Sequence, residues 1–187
     1  MAEKKADVKW SDIKRQAQSL EGAELLALIQ GLFKLSVENR AFLAARLLGA
    51  LASRALLPPY LERIERAFYT RGGRPKLNLA DGRKAIREYQ AATADPVGTL
   101  ELMLTFVETG TRFTREFGDI DEPYYNTLTS VLNEMDQVLK GGQGPEWYRG
   151  IRERVLGLPE LAGRIGWGYS DEIRETVDEW ESRYAEE

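Results

Sequence analysis

From Trp10 onward, apolar residues recur every three or four positions, and no stretch keeps the alternation that is typical of a strand. The longest of these periodic stretches begins at Asp95-Pro96 and reaches Phe117. Its polar positions form only a narrow stripe: Glu101, Thr105, Glu108, Arg112 and Arg115. A helix that is apolar around most of its circumference is a buried one. The pattern therefore predicts a central buried helix over about 97–117.

Start and stop signals predict the remaining elements. Ser36 and Asn78 are expected to begin helices, and Pro58-Pro59 to end one. The last two helices are expected at about 146–157 and 171–184, with an irregular stretch between them. No repeat period is present, so a regular solenoid is not expected. The predicted fold is all-α: an irregular array of about eight to nine helices, packed as antiparallel hairpins around the central helix.

The chain length fits one domain, because 187 residues can bury a sizeable core. Residues 1–8 are polar and are expected to form a disordered tail. Residues 9–187 are expected to form a single helical domain, with a possible subdomain boundary at the glycine-rich segment 141–145.

The chain contains no cysteine and no histidine, which narrows its chemistry. Disulfides, thiolate nucleophiles, Ser-His-Asp triads and zinc sites of the HExxH type are excluded, and no cofactor is expected. The N-terminal residues lack the apolar core of a signal peptide. The longest nearly apolar stretch, 41–57, is interrupted by Arg46, Ser53 and Arg54. These features predict a cytoplasmic protein without a membrane span.

Charge is distributed unevenly along the chain. Residues 1–90 carry 17 Lys and Arg against 10 Asp and Glu, a balance of +7, whereas residues 91–187 carry 9 against 20, a balance of −11. Such asymmetry indicates either a nucleic-acid surface or two halves that attract one another, within one molecule or between two.

Several segments together resemble a known bacterial family. They are 19–26 (SLEGAELL), 36–43 (SVENRAFL), 102–108 (LMLTFVE), Phe113-Thr114 and 118–121 (GDID) leading into Tyr124-Tyr125. In these segments the chain resembles an uncharacterised domain-of-unknown-function family of small all-helical bacterial proteins. The resemblance covers most of the chain and implies a helical fold. It carries over no activity, substrate or site residue.

We expect a non-enzymatic interaction or scaffold protein, whose partner is an unknown protein or a second copy. Six large aromatic residues lie in the last 41 positions, either as a subdomain core or as a contact surface: Trp147, Tyr148, Trp167, Tyr169, Trp180 and Tyr184. We take Trp147, Tyr148, Trp167 and Trp180 as candidate anchors. Arg71, Arg74, Arg83 and Arg87 are their candidate electrostatic partners.

Two other functions remain open from the sequence. The basic segment 71–87, with Tyr69 beside it, can bind nucleic acid, although no helix-turn-helix, RNP or finger signature accompanies it, so this role is disfavoured. A carboxylate-based hydrolase or lyase, with or without Mg²⁺, would use Glu101, Glu108, Asp119 and Asp121. The acidic turn at Asp119, Asp121 and Glu122 is a weak cation candidate, against which we weigh simple helix capping.

Overall fold

The computed structural model describes residues 8–49 and 54–185. Within these residues the chain forms nine helices and no strand, apart from one isolated bridge between Tyr69 and Pro75. The helices are α1 (Trp10–Ala17), α2 (Gly22–Leu35), α3 (Val37–Leu47), α4 (Leu57–Phe68), α5 (Leu79–Thr93), α6 (Pro96–Phe117), α7 (Glu122–Lys140), α8 (Gly144–Ala162) and α9 (Tyr169–Tyr184). The predicted all-α class and helix number are confirmed.

Helix α6 is the centre of the molecule, as its composition predicts. It packs against α4, α5, α7 and α8. Leu100, Leu104 and Phe106 are fully buried, together with the small residues Gly98 and Gly110 that allow neighbouring helices to approach. Phe117, expected in the buried set, is instead 45% exposed, because it lies in the last turn, beyond the packed helices.

Local side-chain caps begin four of the helices. Ser36 accepts a hydrogen bond from the Asn39 amide, and Asn78 accepts one from the Asp81 amide. Asp95 caps α6 and Asp121 caps α7 in the same way. These caps satisfy amide groups that the first turn of a helix leaves without partners.

Two helix boundaries differ from the expected ones. Helix α8 continues through Pro159 to Ala162, whereas the sequence predicts an irregular stretch after 157. Pro159 removes one backbone hydrogen bond, but Leu158 and Ala162 are buried on the turn that it interrupts, and this burial outweighs the loss. Pro58-Pro59 lie in the first turn of α4, where a missing amide donor costs little.

Two predicted features fall partly outside the described residues. The expected tail at 1–8 is described only at Val8, and the nearly apolar stretch 41–57 is not described at 50–53. Within the glycine-rich segment 141–145 the chain forms a tight turn at 141–143, and Gly144 and Pro145 begin α8. A Cβ on Gly144 would lie 2.4 Å from the Leu139 carbonyl oxygen.

The first three helices lie at one side of this body. Helix α3 packs against α5 and contributes Ala41 to the core, while α2 packs against α3. Helices α1 and α2 contribute no buried residue. None of the described helices combines the length and hydropathy that crossing a membrane requires.

Candidate interaction surfaces

Exposed apolar side chains are concentrated on α1–α3. Of the seventeen exposed large hydrophobic residues in the described part of the chain, thirteen lie between residues 8 and 48, so they are not scattered singly. We call this surface the N-terminal apolar face. Its residues are Val8, Trp10, Ile13, Leu25, Leu26, Leu28, Ile29, Leu32, Phe33, Leu35, Phe42, Leu47 and Leu48.

Helix α2 is the main contributor to this face. Residues 25–33 carry no charge, and all fourteen residues of the helix are exposed. Leu26 is 68% exposed and Leu35 is 75% exposed. A helix with an uncharged apolar run of this length normally lies in a core, because its apolar circumference needs contacts on several sides. Here α2 packs against α3 and leaves the rest of its surface open.

An apolar groove runs between α2 and α3. Its volume is about 380 Å³. Leu26, Ile29 and Phe33 line one wall, and Leu43 and Leu47 line the other. On the opposite side of α2, a second apolar depression of about 360 Å³ lies between Leu28 and α1. Both depressions can accept apolar side chains from a partner.

Polar contacts hold the α2–α3 hairpin in a defined shape. Glu21 and Glu24 form a reciprocal capping box at the start of α2. The side-chain amide of Asn39 donates to the Leu32 carbonyl at 2.9 Å and so fixes the turn between the two helices. Glu38 of α3 lies 3.9 Å from Arg63 of α4. Its own backbone amide donates to its carboxylate and keeps the pKa of Glu38 below its ordinary value. The apolar face is therefore presented by a preorganised hairpin.

A second surface combines three of the residues singled out from the sequence. Arg83 and Arg87 of α5 line a groove of about 590 Å³, together with Trp147 at the start of α8. Arg83 donates to Ser130 at 2.9 Å and pairs with Glu134, whereas no carboxylate of the described residues pairs with Arg87. The contact between Arg83 and Glu134 joins the basic half to the acidic half within one chain.

The other two arginines lie elsewhere. Arg71 and Arg74 are exposed on the loop between α4 and α5. Arg71 lines a separate depression of about 410 Å³ with Tyr69 and Arg112. The four candidate arginines therefore do not form one patch, which disfavours a single nucleic-acid track along 71–87.

Burial removes two of the four aromatic anchors from the candidate surface. Tyr148 and Trp180 are 0% and 1% exposed, and their rings pack edge-to-face in the core between α8 and α9. Tyr148 donates to Glu181 at 2.8 Å, and Trp180 donates to Asp136 at 3.3 Å. Sequence alone does not distinguish a core tryptophan from a surface one, since both kinds recur at helical spacing.

Trp167 remains at the surface, in an unusual conformation. It is 57% exposed and has a φ of 61°, a region that non-glycine residues rarely adopt. Its indole nitrogen donates to Asp119 at 3.0 Å, and this contact links the turn before α9 to the turn after α6. Trp167 and the N-terminal apolar face belong to different parts of the chain, and Trp167 does not line either of the two depressions beside α2.

The candidate catalytic and cation-binding carboxylates have separate structural partners. Asp119 accepts from Trp167 and from the Tyr125 hydroxyl, and Asp121 caps α7. Glu122 lies in the first turn of α7, where the helix dipole favours a negative charge. Among the described residues no group of three or more acidic side chains could hold a metal ion.

The polar stripe of α6 contacts helix α8. Glu108 is bound by Arg154 of α8, which also donates to Thr105 at 2.9 Å. The hydrogen bond to Glu108 raises the pKa of Arg154. Glu101 and Glu108 are separated by about 10 Å along the axis of α6, at the rise of a regular helix, and Asp119 and Asp121 lie beyond the end of that helix, so the four carboxylates do not converge on one site.

In comparisons with known proteins, no family model, curated protein or solved structure matches this chain. The candidate surface therefore rests on its own geometry. Sequence reasoning did not single out the N-terminal apolar face, although the uncharged run 25–33 was a usable signal. Such a run predicts burial, and only the packing of α2 reveals that the chain does not supply it.

Proposed function

We propose that this chain is a protein-interaction protein, which binds an apolar helical surface of another polypeptide through its N-terminal apolar face. The observation that carries the proposal is the exposure of all fourteen residues of α2, a helix whose run 25–33 is uncharged and mostly apolar. Exposed apolar patches larger than a few hundred Å² are rare on monomeric proteins and mark interaction sites. The groove between α2 and α3 has the shape and the apolar lining that a partner helix requires.

A helical partner is a better fit than a small ligand. The two depressions beside α2 are shallow. Seven of the eight residues that line the groove between α2 and α3 are apolar, as are four of the six that line the depression beside α1. Small-molecule sites usually add a few convergent polar groups that orient the ligand. The apolar residues on α2 instead lie three and four positions apart, as on a helix that packs against other helices.

Arg87 and Trp147 supply a second contact area in the same proposal. Arg87 is exposed, and the Trp147 ring packs over Gly142 at the edge of the α5–α7–α8 groove. Arginine and tryptophan are enriched among the residues that contribute most to protein interfaces. We further propose that the protein acts in the cytoplasm of a bacterial cell. The absence of cysteine is compatible with a reducing compartment, and the family resemblance supports a bacterial source.

Site-specific photocrosslinking in living cells tests this proposal. A benzoyl-phenylalanine in place of Leu26 places the reactive group on the apolar face, where the residue is 68% exposed. The matched control carries it in place of Leu156 of α8, a leucine that is 43% exposed and lies outside the face. We expect covalent protein adducts from position 26 and none from position 156. If position 26 yields no protein adduct, the proposal is wrong.

A further inference from the structure

We propose that the polypeptide bound at the N-terminal apolar face is a second copy of this chain, whose α2–α3 hairpin packs antiparallel to the first around a two-fold axis near Ile29. This inference rests on the proposed function and names its partner. In the resulting dimer, the two α2 helices form the centre of a four-helix arrangement, and each α2 fills the groove of the other copy.

The exposed area matches what a dimer needs. Between residues 25 and 48, ten large apolar side chains are 37% to 75% exposed. At roughly 150–200 Å² for each side chain, they present on the order of 1,000 Å² of apolar surface. A standard stable interface buries about 800 Å² on each partner. The apolar surface exposed by the α2–α3 hairpin is therefore on the scale of a stable interface, with Leu28 contributing on the side of α2 that faces α1.

The charges at the ends of α2 favour an antiparallel copy. Glu24 lies five residues before Ile29 and Lys34 lies five residues after it. In an antiparallel pair centred on Ile29, the acidic end of each α2 lies at the level of the basic end of the other, whereas a parallel pair aligns ends of like charge. Both side chains lie about 140° around the helix from Ile29, so this attraction acts between the helix ends and is not a direct ion pair. The helix dipoles also align favourably in the antiparallel pair. A helix with one acidic and one basic end is thus complementary to itself.

The central stripe of α2 is suitable for such packing. Leu25, Ile29 and Phe33 follow one another at four-residue spacing, and each is 37% to 48% exposed. Side chains at this spacing form the ridges that interdigitate between packed helices. Ile29 and Phe33 also line the groove with α3, so the ridge of one copy enters the groove of the other.

The same charges distinguish a second copy from a lipid surface. Helices that lie on anionic membranes carry several Lys or Arg residues on their polar side. Helix α2 carries one Lys and one Glu, and Glu21 and Glu38 lie just beyond its two ends. Helix α2 itself therefore has no net electrostatic attraction to an anionic bilayer.

Single-cysteine variants test the pairing directly, because the native chain contains no cysteine. We expect Ile29→Cys to form a disulfide-linked dimer under mild oxidation, since the two-fold axis brings position 29 of both copies together. Leu156→Cys, at a comparably exposed position on α8, should remain unlinked. Leu25→Cys and Phe33→Cys should link with each other when mixed, but poorly with themselves. Self-linkage at 25 and at 33 without cross-linkage would show parallel pairing and overturn the antiparallel arrangement.

Sedimentation equilibrium of the full chain from about 0.1 to about 100 μM measures the association itself. We expect a dimer whose Kd rises about 100-fold in Leu26→Lys/Leu47→Lys, two groove positions that are 68% and 70% exposed. The control Leu156→Lys should dimerise like the native chain. If the chain is a monomer at every concentration and forms no disulfide at position 29, the proposal that the partner is a second copy is wrong.

These results separate the partner from the proposed function. A native chain that stays monomeric but gives adducts with a different protein at position 26 would overturn the second copy and leave the interaction function standing. Flotation with vesicles of anionic and neutral phospholipid tests the remaining alternative, a lipid surface bound at the N-terminal apolar face. Binding that requires Leu26 and Leu47, without self-association, would show that the face contacts lipid.

Discussion

Arg154 on α8 holds the carboxylate of Glu108 on α6 through two hydrogen bonds of 2.7 and 3.0 Å. The Glu108 side chain is 16% exposed and the Arg154 side chain 37% exposed. Helix α8 is thereby fixed against the central helix by a paired contact as well as by apolar packing. Removing either partner leaves a poorly solvated charge behind.

Arg154→Met is expected to lower the free energy of unfolding by about 1–2 kcal/mol, because it leaves the Glu108 carboxylate unpaired. Arg66→Met is the matched control. Arg66 pairs with the exposed Glu62 four residues away, and such surface pairs contribute little. Urea unfolding followed by circular dichroism measures both variants. If both variants lose the same free energy of unfolding, the pair between Arg154 and Glu108 stabilises the fold no more than a surface pair does.

Stability should fall as the pH drops from about 5 to about 3. The pKa of Asp81 is lowered by its hydrogen bonds with Arg63, and the pKa of Glu38 lies below its ordinary value. Around pH 4 the folded state therefore binds fewer protons than the unfolded chain. The stability that Asp81 and Glu38 contribute is fully present above the ordinary carboxyl pKa. It is lost as the pH falls through their lower pKa in the folded state.

Arg63→Gln should make this pH dependence shallower, since Arg63 contacts Asp81 at 2.6 Å and also pairs with Glu88. Arg66→Gln on the same helix is the control, because its partner Glu62 is more exposed than either. Urea midpoints measured at half-unit steps of pH check the slope. An unchanged slope in Arg63→Gln would contradict the role given to this arginine.

Two helical glycines should respond in opposite directions to alanine. At Gly98 of α6 a Cβ would lie 2.4 Å from the Tyr89 hydroxyl and 2.6 Å from the Asp95 carboxylate, so Gly98→Ala should cost about 1–3 kcal/mol. At Gly157 of α8 a Cβ meets nothing within 4 Å, so Gly157→Ala should stabilise by about 0.5–1 kcal/mol. Thermal and urea unfolding distinguish the signs. A stabilising Gly98→Ala would show that the close approach of Tyr89 relaxes freely.

We expect Arg83 to contribute to the stability of the fold and Arg87 to contribute little to it. Arg83→Met removes contacts with Ser130 and Glu134 and is expected to lower the free energy of unfolding by about 1 kcal/mol. Arg87→Met should change it by less than about 0.5 kcal/mol, because Arg87 is exposed and has no paired carboxylate among the described residues. Denaturant titration measures both effects. If the order is reversed, the partition between the two arginines is wrong.

Short-range patterns in the sequence were sufficient for much of the fold. Ser36, Asn78, Asp95 and Asp121 each cap a helix through an amide three residues ahead, so neighbouring residues alone decide these boundaries. The central position of α6 was equally predictable. Its apolar residues occupy most of its circumference, and such a surface is stable only when other helices cover it.

Only the tertiary structure decided which apolar residues are covered. Trp180 and Trp167 are the same residue type thirteen positions apart, yet one is buried and the other is exposed, since α9 places only Trp180 against α8. Phe106 and Phe33 differ for the same reason, because α6 is surrounded by helices and α2 has one substantial neighbour. Periodicity specifies that a helix has an apolar side. The number of helices that cover that side depends on contacts between distant parts of the chain. Because few such contacts reach α1–α3, the N-terminal apolar face stays exposed.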